Sequence, residues 1–175
     1  VRQGKALYIG LSNYRPAEAK RACALLRQNH TPCVVMQPNY SMLDRWIEDG
    51  LLQTLEEEGA GAVVFKPLEQ GLLTGKYLHG IPADSRIRRD PRFLKEGDLN
   101  QSLERKIGAL ASVASDRGQS MAQMALAWTL RNTCVTSAII GASRASQITE
   151  NIGALQHLTF TEDELRHIDT ILKED

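Results

Sequence analysis

Four short apolar runs, each giving way to residues at helical spacing, constrain the fold of this chain more than any other feature. They are Ala6-Leu7-Tyr8-Ile9-Gly10-Leu11, Val34-Val35-Met36, Ala62-Val63-Val64-Phe65 and Ser137-Ala138-Ile139-Ile140. Brief, rich in β-branched or aromatic residues, and bounded by glycine, proline or small polar residues, they read as buried strands. After the first, Pro16 suits an opening helical turn, and Ala19, Ala22, Cys23, Leu25 and Leu26 recur at helical spacing up to Gln28. After the second, Gln37-Pro38-Asn39-Tyr40-Ser41 ends the strand, and helical spacing follows over 42–58, broken at Asp49-Gly50. A long irregular stretch, 66–99, follows the third, then helical spacing from Leu103 to Ala114 and over 121–131, with Ser120 as N-cap of the second helix. Past the fourth, Thr161 and Glu164 have the spacing of a capping box for a last helix through Leu172. Alternation of this kind implies an α/β fold with a parallel sheet.

Parallel sheets gather their functional residues at the carboxyl ends of the strands, here Ser12-Asn13, Gln37, Phe65-Lys66-Pro67 and the turn from Gly141 to Ser143. Over 137–151 a strand, a tight turn and a helix start follow one another. The first turn of a helix has unpaired N–H groups and partial positive charge, so the turn suits an anion. Gly141 would let a phosphate approach the backbone, the Ser143 hydroxyl could donate to it, and Arg144 could pair with it bidentately. The same residues equally suit an ordinary strand-to-helix connection with Ser143 as the N-cap. A loop as long as 66–99 is expected to be functional or mobile. Its cluster of Arg86, Arg88, Arg89, Arg92 and Lys95 reads as a solvated face.

Charge and composition narrow the partners. Lys plus Arg and Asp plus Glu number 21 each, so no net field favours nucleic acid or an anionic membrane. No apolar run reaches the roughly 20 residues of a membrane span, and a soluble, cytoplasmic protein is expected. Cys23, Cys33 and Cys134, odd in number and set among apolar residues, read as buried free thiols with no role in a disulfide or metal site. The 175 residues suit one domain, and Val1 leads so quickly into a strand that a piece of a longer chain is expected.

With these residues in view, the chain resembles the second half of an aldo-keto reductase. The likeness is carried by Gly4 to Tyr14, by Gln37-Pro38-Asn39-Tyr40-Ser41, by Pro67-Leu68 with 71–77, and by Ile140-Gly141-Ala142-Ser143 with Gln147, Glu150 and Asn151. It is strongest to the branch holding bacterial reducers of glyceraldehyde 3-phosphate and methylglyoxal-like aldehydes, together with potassium channel β subunits. The resemblance implies strands five to eight of a (β/α)8 TIM barrel over 1–175, with NADP(H) as cofactor and a small aldehyde as substrate. By the same resemblance, Ser12, Asn13 and Gln37 hold the nicotinamide carboxamide and Phe65 stacks on its ring. Pro67, Leu68, Lys76 and Arg86 belong to a loop closing over the pyrophosphate. Gly141, Ser143, Arg144, Gln147, Glu150 and Asn151 fall where the 2′-phosphate and adenine are bound. Lys66 and Glu69 depart from the family pattern, which places smaller residues there. The family's catalytic Asp, Tyr, Lys and His belong to the early strands, so no residue of this chain is assigned a catalytic role. Two other readings stand beside this one. A stand-alone half-barrel could bind nucleotide without reductase activity and self-associate through its two exposed strand edges. A channel-regulatory subunit follows from kinship alone.

Overall fold

The computed structural model describes residues 1–78, 80 and 99–174. Arg86, the rest of the basic cluster and His79 lie outside them, as does most of the stretch expected to be mobile. The chain divides into two compact units, Val1–Pro67 with Asn132–Ile140, and Leu68–Arg131 with Gly141–Asp175.

The first unit is a parallel four-stranded sheet of β1 (Ile9–Ser12), β2 (Cys33–Gln37), β3 (Gly61–Phe65) and β4 (Val135–Ile139), arranged in sequence order. Parallel neighbours need a crossover, and each of the three connections here contains helix, the first two within this unit. Helix α1 (Pro16–Gln28) packs against β2 and helix α2 (Leu51–Glu58) against β3, and the two helices meet each other. Ala19, Cys23, Leu51 and Leu55 on the helices bury with Met36, Ala62 and Val64 of the sheet. The register sets Ser12 beside Gln37, Asn39 beside Phe65, and Phe65 beside Ile139, which brings the strand ends level.

Three boundaries differ from the sequence reading. The first strand starts at Ile9 rather than Ala6, because Ile9 pairs with Cys33, the first residue of β2; Leu7 and Tyr8 have no strand beside them and are exposed. The fourth strand opens earlier, at Val135, which pairs with Ala62 and is buried, a placement that polar Thr136 disguises. Residues 42–45 are not helical. Ser41 and Asp44 exchange backbone hydrogen bonds of 3.1 and 3.3 Å, and only one tight turn, Trp46–Glu48, precedes the break at Gly50, whose φ is 92°. The cysteines are free; Cys23 and Cys33 are buried and Cys134 is half-buried, and burial is the main cause that pushes the Cys23 thiol up to about 11.

The second unit is helical: α3 (Gln101–Asp116), α4 (Met121–Thr129), α5 (Ala145–Ile152) and α6 (Glu162–Lys173). Helix α4 is buried almost all round, with Trp128 fully enclosed, and it packs on α3 and α5, while α3 also packs on α6. Both expected caps form. Ser120 Oγ accepts from the Gln123 N–H at 3.3 Å, and Thr161 Oγ accepts from the Glu164 N–H at 3.2 Å. The start of the expected irregular stretch is instead a tight turn, Glu69–Thr74, because Leu72, Leu73 and Tyr77 are buried and anchor it. Among the described residues no helix is long and apolar enough to cross a membrane.

Arg117 joins the carboxyl end of α3 to the start of α6. Its side chain is 2% exposed and donates to Glu164 at 2.5 Å, to the Thr159 carbonyl at 2.9 Å and to Gln119 at 2.9 Å, while its guanidinium lies 3.7 Å from the centre of the Phe160 ring. Burial pushes the Glu164 carboxyl up, but the Thr161 N–H and hydroxyl and the Arg117 guanidinium outweigh it and hold it below its ordinary value. A carboxyl with a lowered folded-state pKa stabilises the fold above its unfolded pKa, and that contribution disappears as pH falls through the folded value. Arg117→Met should therefore cost about 2–4 kcal/mol in urea unfolding at neutral pH, because the Glu164 carboxylate is left without its cation. The same variant should lose less further stability than wild type between about pH 5 and pH 3, and an unchanged pH profile would show that the pair does not set acid sensitivity.

Candidate functional site

Two groups of the sequence-predicted residues come together, one in each unit. In the first unit the group forms at the carboxyl ends of β1 to β3. The Ser12 hydroxyl donates to the Gln37 carbonyl at 2.8 Å. A carbonyl only accepts, so the hydroxyl proton is committed there and Ser12 faces any ligand as an acceptor. Asn13, next along, has φ 57°, a left-handed conformation that asparagine tolerates better than most residues. Its Oδ1 accepts from the backbone N–H of Asn39 at 3.2 Å. A backbone N–H only donates, which settles the orientation of the Asn13 amide: the oxygen faces Asn39 and the NH2 group faces away from it. Two adjacent exposed residues thus present one acceptor and one donor, the complement of the NH2 and C=O of a primary carboxamide.

Gln37 is exposed and Phe65 half-buried, while Pro67 is buried. The Lys66 ammonium lies 5.8 Å from the centre of the Phe65 ring. Lys66 also has φ 57°, without the local hydrogen bonding that makes asparagine tolerant there, so one of the two departures from the family pattern falls on strained backbone. The other departure, Glu69 in the second unit, is strained as well, with φ 41°, and Gln70 after it has φ 55°. Also in that unit, the half-buried Leu68 closes this turn by accepting at its carbonyl from the N–H groups of Gly71 at 2.9 Å and Leu73 at 3.2 Å. Lys76 is exposed. Arg86 lies outside the described residues.

In the second unit the group forms at the start of α5. The N-cap is Arg144, not Ser143 as one reading of the sequence had it. The reason is Gln147, whose Oε1 accepts from the Ser143 N–H at 2.8 Å, the Ser143 hydroxyl at 3.2 Å and the Arg144 N–H at 3.2 Å. Three donors that suit an anion oxygen thus converge on one neutral oxygen of the chain itself. Gly141 leaves open space, since a Cβ built there would meet nothing within 4 Å. The Arg144 guanidinium is exposed and makes no ion pair among the described residues. Glu150 is exposed, and its carbonyl accepts from Gln123 Nε2 at 2.9 Å. Asn151 is only 8% exposed, and its side chain makes no hydrogen bond among the described residues. Buried amides are rarely left so, because an unmade hydrogen bond costs about 1–3 kcal/mol.

Sequence reasoning assigned no role to Asn39 or Trp46. Asn39 orients Asn13 through its backbone, and Trp46 Nε1 donates to Asn39 Oδ1 at 3.0 Å. The signals for Asn39 were its position directly after the strand-ending Gln37-Pro38 and its place in the Gln37–Ser41 motif; Trp46 had none.

Because Gln147 closes the turn, Gln147→Leu should free the Ser143 and Arg144 amides. Loss of a cap costs about 1 kcal/mol, so their hydrogen exchange should quicken by about fivefold while the amides in the middle of α4 stay as slow as in wild type. Unchanged exchange at both positions would mean the turn holds without Gln147.

Residues 1–173 match the aldo/keto reductase family. Among curated proteins, L-glyceraldehyde 3-phosphate reductase of Escherichia coli is 48% identical over 178 residues, covering 97% of this chain and 50% of that protein. A putative voltage-gated potassium channel subunit beta of Schizosaccharomyces pombe is 36% identical over 180 residues, covering 98% of this chain and 52% of that protein. The chain spans about half the length of the curated relatives it matches. With the parallel α/β sheet and its polar strand ends, the match over nearly every residue identifies the chain as a member of the aldo/keto reductase family.

Proposed function

We propose that this chain is the NADP(H)-holding half of a cytoplasmic reductase of small aldehydes, forming strands five to eight of an eight-stranded barrel. The observation that carries the reading is the acceptor of Ser12 set beside the oriented donor of Asn13, which matches a carboxamide and would repel its flipped form. Three further features support it. Phe65 offers an aromatic surface at a neighbouring strand end. In the other unit, Arg144 is a cation without a partner among the described residues, and Asn151 is a buried amide with hydrogen bonds to spare. When bound, NADPH supplies a hydride to the aldehyde carbon. Within this chain, Ser12, Asn13 and Gln37 orient the carboxamide end, while Ser143 and Arg144 hold a phosphate and Asn151 an adenine edge. The proton for the aldehyde oxygen comes from a family acid outside this chain.

Fluorescence titration of the intact protein tests this. NADPH should bind, and Arg144→Ala should weaken it by about 10- to 100-fold while leaving NADH affinity nearly unchanged, since a hydrogen bond to a charged group contributes about 1.5–3 kcal/mol. NADPH oxidation should accompany addition of methylglyoxal. Absence of NADPH binding would reject the reading.

The sheet edges favour a second reading, self-association of the chain. Among the described residues β1 and β4 each pair on one side only, which leaves backbone donors and acceptors able to take another strand. A two-fold axis would set β4 of one copy parallel to β1 of the other. Sedimentation of the isolated chain should then give twice the 19.4 kDa monomer mass, and a stable monomer would exclude this reading.

A further inference from the structure

We infer that Asn39 and Trp46 are positioning residues for the nicotinamide end of the site, acting through the Asn13 amide; this rests on the cofactor reading above. Both ends of the Asn39 side chain are engaged. Its Oδ1 accepts from Trp46 Nε1 at 3.0 Å and its Nδ2 donates to the Asp44 carboxylate. An indole N–H only donates and a carboxylate only accepts, so the Asn39 amide has a single orientation. Asp44 is itself held, because its N–H donates to Ser41 Oγ at 3.1 Å and its carbonyl accepts from the Ser41 N–H at 3.1 Å. The backbone on either side of Asn39 is tied to β3: the Pro38 carbonyl accepts from the Phe65 N–H at 3.0 Å, and the Tyr40 N–H donates to the Phe65 carbonyl at 3.2 Å. What remains is the Asn39 N–H, and it is aimed at Asn13 Oδ1.

Trp46 grips the same loop from a second side. Its ring lies under the Arg15 guanidinium, 4.3 Å from the ring centre, and Arg15 is two residues beyond Asn13. Asn13 is exposed and in a left-handed conformation, so nothing in its own local preferences holds its amide in one flip. Flipping it would turn its oxygen outward, where a ligand carbonyl would meet an acceptor instead of a donor. The Asn39 N–H makes that flip unfavourable, and the Trp46–Asn39–Asp44 chain holds that N–H in place and so selects the ligand end that Asn13 can bind.

The test uses two ligands that share the adenosine end and differ at the nicotinamide end, NADPH and adenosine 2′,5′-bisphosphate, titrated against the intact protein. Asn39→Asp sets a carboxylate against Asp44 and should weaken NADPH by about tenfold while leaving adenosine 2′,5′-bisphosphate within about twofold of wild type. Adding Asp44→Asn restores a donor facing an acceptor and should return NADPH affinity to within about threefold. Trp46→Phe, which keeps an aromatic ring but removes the indole N–H, should reproduce the NADPH-selective loss in milder form. Equal losses of both ligands in Asn39→Asp, no loss in it, or no recovery in the double variant would each overturn the inference while leaving the cofactor reading in place. A wild-type protein that binds neither ligand would overturn the cofactor reading and this inference with it.

Discussion

The hydrogen bonds that carry the sheet past the end of β2 are the interaction on which the first unit's site depends. The strand proper stops at Gln37, yet Pro38 and Tyr40 still bond to Phe65, and Asn39 bonds sideways to Asn13. Pro38 has no N–H to give, so its contribution is its carbonyl alone. The ends of β2 and β3 are thereby fixed to one another by backbone groups, which do not change with side-chain rotamers, and the Asn39 N–H reaches the Asn13 side chain at the end of β1. Ser12, Asn13 and Phe65 inherit that precision, and only the last bonds of the site are left to side chains.

Much of this was legible in the sequence because its physical signals are local. Pro16 and the apolar spacing up to Gln28 placed α1 with both ends correct, and the Ser120 and Thr161 caps declare themselves by residue type and spacing. Strand ends were less legible. Ala6 and Leu7 are apolar and Tyr8 favours strands, but pairing requires a neighbour, and the neighbour begins only at Cys33. The reverse holds for Val135, which earns strand status from Ala62 across the sheet despite the polar Thr136 beside it.

The site followed the same division. Which residues stand at strand ends could be read from the order of runs, and the family resemblance placed roles on them. What could not be read is how their hydrogen-bonding capacity is already committed. Ser12 as acceptor, Asn13 as donor and Gln147 as internal ligand all depend on partners 25, 26 and 4 residues away whose direction only the fold determines. Lys66 and Glu69 illustrate the converse: their unusual identity was visible in the sequence, but the left-handed backbone beneath each was not.

The Gln147 oxygen in the cradle at the start of α5 has a consequence for motion. The donors of Ser143 and Arg144 are already drawn to a common point, so under the proposed phosphate role an incoming anion would exchange one oxygen for another and order no backbone as it arrives. Entry would then require the half-buried Gln147 side chain to swing aside and give up three hydrogen bonds. On that reading the Gln147 side chain, and not the backbone of the turn, would be the part that moves as a phosphate enters or leaves.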